Sequence, residues 1–265
     1  MRKIGCISQT YGDSRLLEIN CIAYDRVGTA LRNCIDEISF TFHNSPPEFK
    51  ETAKEILSNI YETPVIFREY DGISYYDSIM TQLTTMKTEG FTDILLIQDD
   101  QYGLYINNNI EKVKTIVDFY RNNLDMTFLH IFSKEGYPSK NRLPMSKLYH
   151  DGIIFNKFDS RDFKKDGIWS YNDGTYLASI DFLLTLLSPT SNFQIPSNVW
   201  HLEMYCKMVL DNNPIERWGV QEELFQAANF HGKNISPIPF YDNLYRFFGQ
   251  HEDFQERVAH FKTLL

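Results

Sequence analysis

The sequence predicts an α/β protein: a mixed, mostly parallel sheet flanked by helices, in a single domain with two abutting lobes. Three observations predict it. Short apolar segments of strand length alternate with segments of helical period through the first half of the chain. One of them, Ile94-Leu95-Leu96-Ile97, is continuously apolar, as a strand buried on both faces is. The 265 residues, 43% apolar and 15% aromatic, suffice for one packed core, with no internal repeat or low-complexity linker to divide it.

Taken in order, residues 3–8 form a first short apolar strand. Apolar and polar residues alternate over 37–43, which predicts a second strand with Ile38, Phe40 and Phe42 on its core face. Ser45-Pro46-Pro47 is a helix start signal, and Phe49, Ala53, Ile56, Leu57 and Ile60 then recur along one helical face. Residues 64–68 make a third strand, and a helix over 73–88 ends at Gly90. The fourth strand covers 93–98. Ile110, Val113, Ile116, Val117 and Tyr120 stripe the next helix, and 126–132 form a fifth strand.

The second half is less regular. Residues 136–147 carry Pro, Ser, Lys and Asn and read as a loop; 152–158 read as a strand. A loop of Asp, Gly and aromatics over 163–174 leads to helices over 175–187, 199–210 and 218–230, then an aromatic tail.

Charge and cysteine content narrow the function. A net charge of −9 excludes a general nucleic-acid binder, which needs a basic face, yet a bound cation can still neutralise a phosphorylated ligand locally. Cys6, Cys21, Cys34 and Cys206 are far apart and form no C-x-x-C pair, so a reducing, cytoplasmic setting is expected. The longest apolar run, around 176–187, contains Asp181 and is too short to span a bilayer; no integral membrane segment is expected, and peripheral attachment stays open. The seven histidines include no H-x-x-x-H pair, and there is no Walker A loop, G-x-G-x-x-G or G-x-S-x-G.

The pattern that carries chemistry is Gln98-Asp99-Asp100-Gln101, directly after the buried strand. In open α/β sheets ligands bind at the carboxyl ends of strands. Two adjacent carboxylates there repel one another unless donors or a cation compensate, and a hard divalent ion, Mn²⁺ or Mg²⁺, takes such ligands together with phosphate oxygens. The same pair also suits a solvated turn. Downstream, Trp169-Ser170-Tyr171-Asn172-Asp173-Gly174 mixes aromatic and polar groups suited to the apolar faces and hydroxyl rims of a sugar. Asp173 is there a candidate base, or part of an Asp-Gly turn.

A strand–helix opening, a helix ending in Gly and an apolar strand running into an Asp-containing motif near residue 100 together resemble the GT-A glycosyltransferases. They are most similar to the small family-2-like enzymes of bacteria and large viruses. The resemblance covers about residues 3–135. It implies a GT-A (Rossmann-like) fold whose first half, 1–135, binds a nucleoside-diphosphate sugar such as a UDP-sugar. The second half, 136–265, binds a glycan, glycoconjugate or small hydroxyl acceptor. The setting it implies is the cytoplasm, that of the host for a viral chain.

Residue by residue, the resemblance puts Gln98-Asp99-Asp100 at the D-x-D place. Asp99 then faces the ribose or metal, and Asp100 holds the metal against the diphosphate. Gln98 stands where the strict motif has its first Asp. Thr10, Tyr11 and Arg15 fall in the loop beside the nucleotide, where Asp13 or Ser14 also suits a helix cap. Asp71 matches a position near the nucleotide, or caps the helix that follows. His43-Asn44 occupies the place of a base-reading Asp. Trp218-Gly219-Val220-Gln221-Glu222 resembles the acidic helix start at which inverting members carry their base, which points to Glu222. A late histidine sometimes completes the metal site; His231 is the first candidate, before His201 and His251. The expected activity is inverting glycosyl transfer. The alternatives are a sugar-phosphate nucleotidyltransferase, which normally has a Gly-rich loop where this chain has Gly12 alone, and a non-catalytic nucleotide-sugar-binding protein of the same fold.

Overall fold

A computed structural model describes residues 1–10, 34–60, 65–98, 101–103, 109–131, 144–159, 176–188, 199–213, 215–220 and 225–227. In chain order the elements are β1 (Ile4–Thr10), β2 (Glu37–His43), α1 (Pro47–Ile60), β3 (Ile66–Tyr70), α2 (Tyr75–Thr88), β4 (Asp93–Gln98) and β5 (Gln101–Gly103). Next come α3 (Asn109–Asn122), β6 (Phe128–His130), β7 (Ser146–His150), β8 (Ile153–Asp159) and β9 (Tyr176–Ser179). The last are α4 (Ile180–Leu187), α5 (Val199–Asn212), β10 (Glu216–Val220) and β11 (Phe225–Ala227).

The main sheet has nine strands in the order β3-β2-β1-β4-β9-β6-β10-β8-β7, and β11 pairs with β5 in a small second sheet. Strands β3, β2, β1 and β4 run parallel. β9 is antiparallel to both of its neighbours, β4 and β6, while β6 and β10 are parallel. β8 opposes β10 and β7, so all strands but β9 and β8 point one way. The sheet is mixed and mostly parallel, as the sequence predicts, and it runs through both halves of the chain.

Helices cover both faces. On one, Phe49 and Leu57 of α1 and Val113, Ile116 and Tyr120 of α3 pack against Cys6, Phe40, Phe42, Leu95 and Ile97. On the other, α2, α4 and α5 bring Leu83, Met86, Leu183 and Leu202 onto Ile7, Ile94, Leu96 and Phe128. Consecutive residues of β4 therefore feed opposite cores, which is why its sequence is apolar without alternation. β2 departs from the one-faced expectation: Ser39 and Thr41 are buried as deeply as Phe40 and Phe42. Their hydroxyls are satisfied inside, Ser39 Oγ donating to Cys6 O (3.0 Å) and Thr41 Oγ1 accepting from Gln82 Nε2 (2.5 Å). At Gly5 of β1 a Cβ would lie 2.1 Å from Met86 Cε and 3.2 Å from Phe91 Cδ1, so α2 closes on the sheet where β1 has no side chain.

The amino edge of the sheet is tied by a buried ion pair. Arg2 Nη1 donates to Asp93 Oδ1 (3.1 Å), Arg2 Nη2 to the carbonyls of Asn123 and Leu124, and Tyr120 OH to the same Asp93 oxygen (2.8 Å). The guanidinium also lies 4.1 Å from the Tyr120 ring centre. Cys6, Cys34 and Cys206 are free, buried thiols; burial pushes Cys34 up to about 12 and Cys6 higher.

Three expectations about elements fail. The helix expected over 218–230 does not form: Glu216–Val220 and Phe225–Ala227 are strands. Tertiary pairing overrides the helical spacing of Val220, Leu224 and Ala228, because β10 fills the gap between β6 and β8. The helix expected over 175–187 is a strand followed by a shorter helix, with Ser179 capping Ile180–Leu187. The end of the loop expected over 136–147 is the start of β7, an exposed edge strand joined to β8 by an Asp151-Gly152 turn with both residues at positive φ.

Candidate active site

The register brings the carboxyl ends of the parallel strands to one edge. Gln9 of β1 is opposite Gln98 of β4 and Thr41 of β2, and Thr41 is opposite Arg68 of β3. Beyond β4, Leu96 is opposite Tyr176, which pairs with His130, and His130 is opposite Gly219. Thr10, His43, Tyr70, Gln98, His130 and Val220 thus close their strands on the same side, and β9 opens there.

Part of this edge is a stitched double loop. Asn44 adopts φ +50, and its N–H donates to Tyr70 O (3.1 Å). Its Oδ1 accepts from Gly72 N (2.7 Å) and its Nδ2 donates to Ile73 O (3.2 Å), which His43 Nε2 also meets at 3.0 Å. An asparagine tolerates this left-handed backbone and supplies the donor and acceptor that bind the next loop. Residues 43–44, the place of a base-reading Asp in the resemblance, are engaged in holding the loops after β2 and β3 together.

Asp71 lies on this edge, but its alternative as a cap does not hold: Ser74 is the cap of α2, accepting from Asp77 N (3.0 Å). The Asp71 carboxylate instead bonds the ammonium of Lys50, a buried group that also reaches Glu69 (3.0 Å). Those bonds, Asp71 first, raise the pKa of Lys50 against the opposing pull of burial, and Lys54 with Lys50 lowers that of Glu69. Asp71 is 53% exposed, so one side of it faces solvent.

Of the other predicted residues, Thr10 is described through its backbone alone, as the last residue of β1 opposite Phe42. Tyr11, Arg15, Asp99, Asp100, Asp173, Glu222, His231 and His251 lie outside the described residues, and His201 is described only as a position in α5. Their described flanks are informative. Gln98 and Gln101 bracket the Asp pair, and Gln101 is opposite Ala227, four residues before His231. Glu222 follows β10 by two residues and precedes β11 by three, so the helix at whose start it was expected is absent. Asp173 precedes β9 by three residues.

Sequence reasoning missed His130. It ends β6 on this edge, 6% exposed, with its ring edge-on to Phe128 (4.8 Å) and Tyr176 (6.1 Å) and its Nε2 without a hydrogen-bond partner. Burial, with the positive charge of Arg217 nearby, holds its pKa well below 6.5. The available signal was a histidine at the carboxyl end of an expected central strand. A surface cleft lined by Met1, Lys87, Phe91 and Asp181 lies at the opposite, amino edge, away from all these strand ends.

The described part of the chain resembles solved structures over nearly its whole length. A UDP-glucose pyrophosphorylase from Acinetobacter baumannii superposes with a TM-score of 0.54 at 10% identity, each chain covered to 99%. A UTP-bound form from the same source gives 0.52 at 11% identity and the same coverage. Residues 1–349 of TarS from S. aureus give 0.52 at 11% identity, covering 85% of this chain and 60% of that one. The fold is GT-A. At these identities the likeness establishes the architecture alone. No family model matches the sequence, and no curated protein matches it. The GT-A arrangement here is a single mixed sheet with its site-forming strand ends on one edge, shared by glycosyl- and nucleotidyltransferases. Among the described residues no group of three or more His, Cys, Asp or Glu is placed to hold a metal, and no helix is long and apolar enough to cross a membrane.

Proposed function

We propose that the protein is a glycosyltransferase of the small family-2-like type, moving a sugar from a nucleoside-diphosphate sugar to a hydroxyl with divalent-metal assistance and inversion. The observation that carries it is the register of β4. A strand buried on both faces ends at Gln98 beside the end of β1, so the next two residues, Asp99 and Asp100, leave the sheet next to the start of the Thr10–Arg15 loop.

The donor set fits a hard cation. Asp99 and Asp100 offer carboxylate oxygens, and the pairing of Gln101 with Ala227 draws the chain that leads to His231 toward the same ladder. When bound, Mn²⁺ or Mg²⁺ supplies charge neutralisation for a leaving diphosphate. The chain's own residues do the rest. Arg15 binds phosphate and Tyr11 stacks on the base, with Thr10 and Asp71 lining the nucleotide half, 1–135. In the acceptor half, 136–265, Glu222 or Asp173 takes the proton from the acceptor hydroxyl as its oxygen forms the bond to the anomeric carbon and the diphosphate departs. Both acids are close in sequence to strands that flank His130, which supports an acceptor side at that end of the sheet.

A second reading has its own support. The full-length likeness to UDP-glucose pyrophosphorylases favours a nucleotidyltransferase, which forms a nucleotide sugar from a sugar phosphate and a nucleoside triphosphate. A panel of UDP-, GDP- and dTDP-sugars with Mn²⁺ separates the readings. Release of nucleoside diphosphate supports glycosyl transfer, pyrophosphate release from UTP and a sugar phosphate supports the second reading, and silence in both favours a non-catalytic binding protein.

A further inference from the structure

His130 stands between the two strands that border the acceptor-side carboxylates. On one side it pairs with Tyr176, three residues after Asp173; on the other with Gly219, three residues before Glu222. Gly219 in turn is opposite Asn156 of β8. Residues opposite one another in neighbouring strands share a face of the sheet. His130 and Asn156 therefore flank a position where the middle strand has no side chain. Both are buried, 6% and 7% exposed, and each ends in an atom without a hydrogen-bond partner, Nε2 of His130 and Oδ1 of Asn156. Buried polar atoms in folded proteins are almost always paired. Two unpaired ones in a single row, on either side of a glycine, mark a place built for a polar group that the chain does not supply.

The chemistry of the two atoms selects that group. Asn156 Oδ1 can only accept, and the neutral imidazole offers an N–H when its proton is on Nε2. A hydroxyl satisfies both, donating to Oδ1 and accepting from Nε2–H. A phosphate or carboxylate oxygen only accepts, and leaves Asn156 unpaired. Two strand spacings of about 4.8 Å separate the two backbones, a span that one oxygen with two hydrogen bonds of about 2.8 Å can bridge between side chains.

We propose that His130 and Asn156, across Gly219, form a subsite for an uncharged hydroxyl, contributed by the acceptor. The assignment to the acceptor rests on the glycosyl-transfer reading; the hydroxyl subsite itself does not.

Histidine-selective ¹⁵N labelling tests it, with the His130 signal identified by its loss in His130→Gln. Glycerol and a set of methyl glycosides are the probes, and inorganic phosphate is the contrast. The expected result is a saturable shift of the His130 Nε2 signal with at least one hydroxyl probe and none with phosphate. Apparent affinity should fall at least tenfold in Asn156→Leu and be kept within about threefold in Asn156→Asp, which preserves size and an acceptor oxygen. A His130 signal unmoved by every hydroxyl probe, moved equally in Asn156→Leu, or moved by phosphate to the same extent overturns the proposal. Nucleotide-sugar cleavage measured on the same samples keeps the two ideas apart. Hydroxyl binding without cleavage counts against glycosyl transfer, and cleavage without hydroxyl binding counts against the subsite.

Discussion

Replacing His130 with glutamine removes a buried imidazole that the fold holds neutral, and this fixes how the variant's stability should depend on pH. The ring is 6% exposed, and burial first, then Arg217, depress its folded pKa well below 6.5. In the unfolded chain it titrates near 6.5. Between those values the unfolded state binds the extra proton, so stability is fully present above about pH 6.5 and is lost as pH falls below it. One proton contributes about 1.4 kcal/mol per pH unit at full slope. Between pH 7.5 and 5.5, with an unfolded pKa near 6.5 and a ring still neutral in the fold, the integrated loss is about 1.4 kcal/mol. Carboxylates titrate mostly below this window and are common to both proteins. Urea unfolding at the two pH values should therefore give a wild-type loss larger by about 1.4 kcal/mol than that of His130→Gln. Equal losses, or a larger loss in the variant, would refute a neutral, buried His130.

Two further predictions concern the scaffold. Arg2→Met leaves Asp93 buried with only hydroxyl donors around it, so urea unfolding should show a loss of about 3–5 kcal/mol, the usual cost of breaking a buried pair; a loss below about 1 kcal/mol contradicts the buried network. Gly5→Ala pushes a methyl against Met86 and Phe91 and should cost about 1–3 kcal/mol by overpacking. In a Met86→Ala background most of that penalty should vanish, and a penalty unchanged there would place the clash elsewhere.

Much of the scaffold is legible in the sequence because local and tertiary signals agree. The alternation of 37–43, the apolar run 93–98 and the stripes of α1 and α3 each correspond to an element with matching bounds or face. Legibility fails where the sheet decides. Tyr176–Ser179 is apolar and adjoins an apolar helix, and nothing local reveals that four residues insert antiparallel between β4 and β6. Residues 216–220 look helical by spacing and become a strand because two strands need a partner between them. At the site, the Asp pair was legible because a buried strand points to it. Asp71 was legible as a position on the edge, but its bond to Lys50 depends on a fold-back of 21 residues. The row of His130, Gly219 and Asn156 spans three strands from distant parts of the chain, so no spacing in the sequence announces it.

The central claim, that the two acids after β4 hold a cation beside a nucleotide diphosphate, is tested most directly by thermal unfolding with UDP, with and without Mn²⁺, in the wild type and Asp100→Ala. A ligand at a hundred times its dissociation constant stabilises by about 2.7 kcal/mol, which is ample for a measurable rise in Tm. The account predicts a UDP-dependent rise that requires Mn²⁺ and largely disappears in Asp100→Ala. An equal rise in the variant, or no rise with any nucleoside diphosphate, contradicts it.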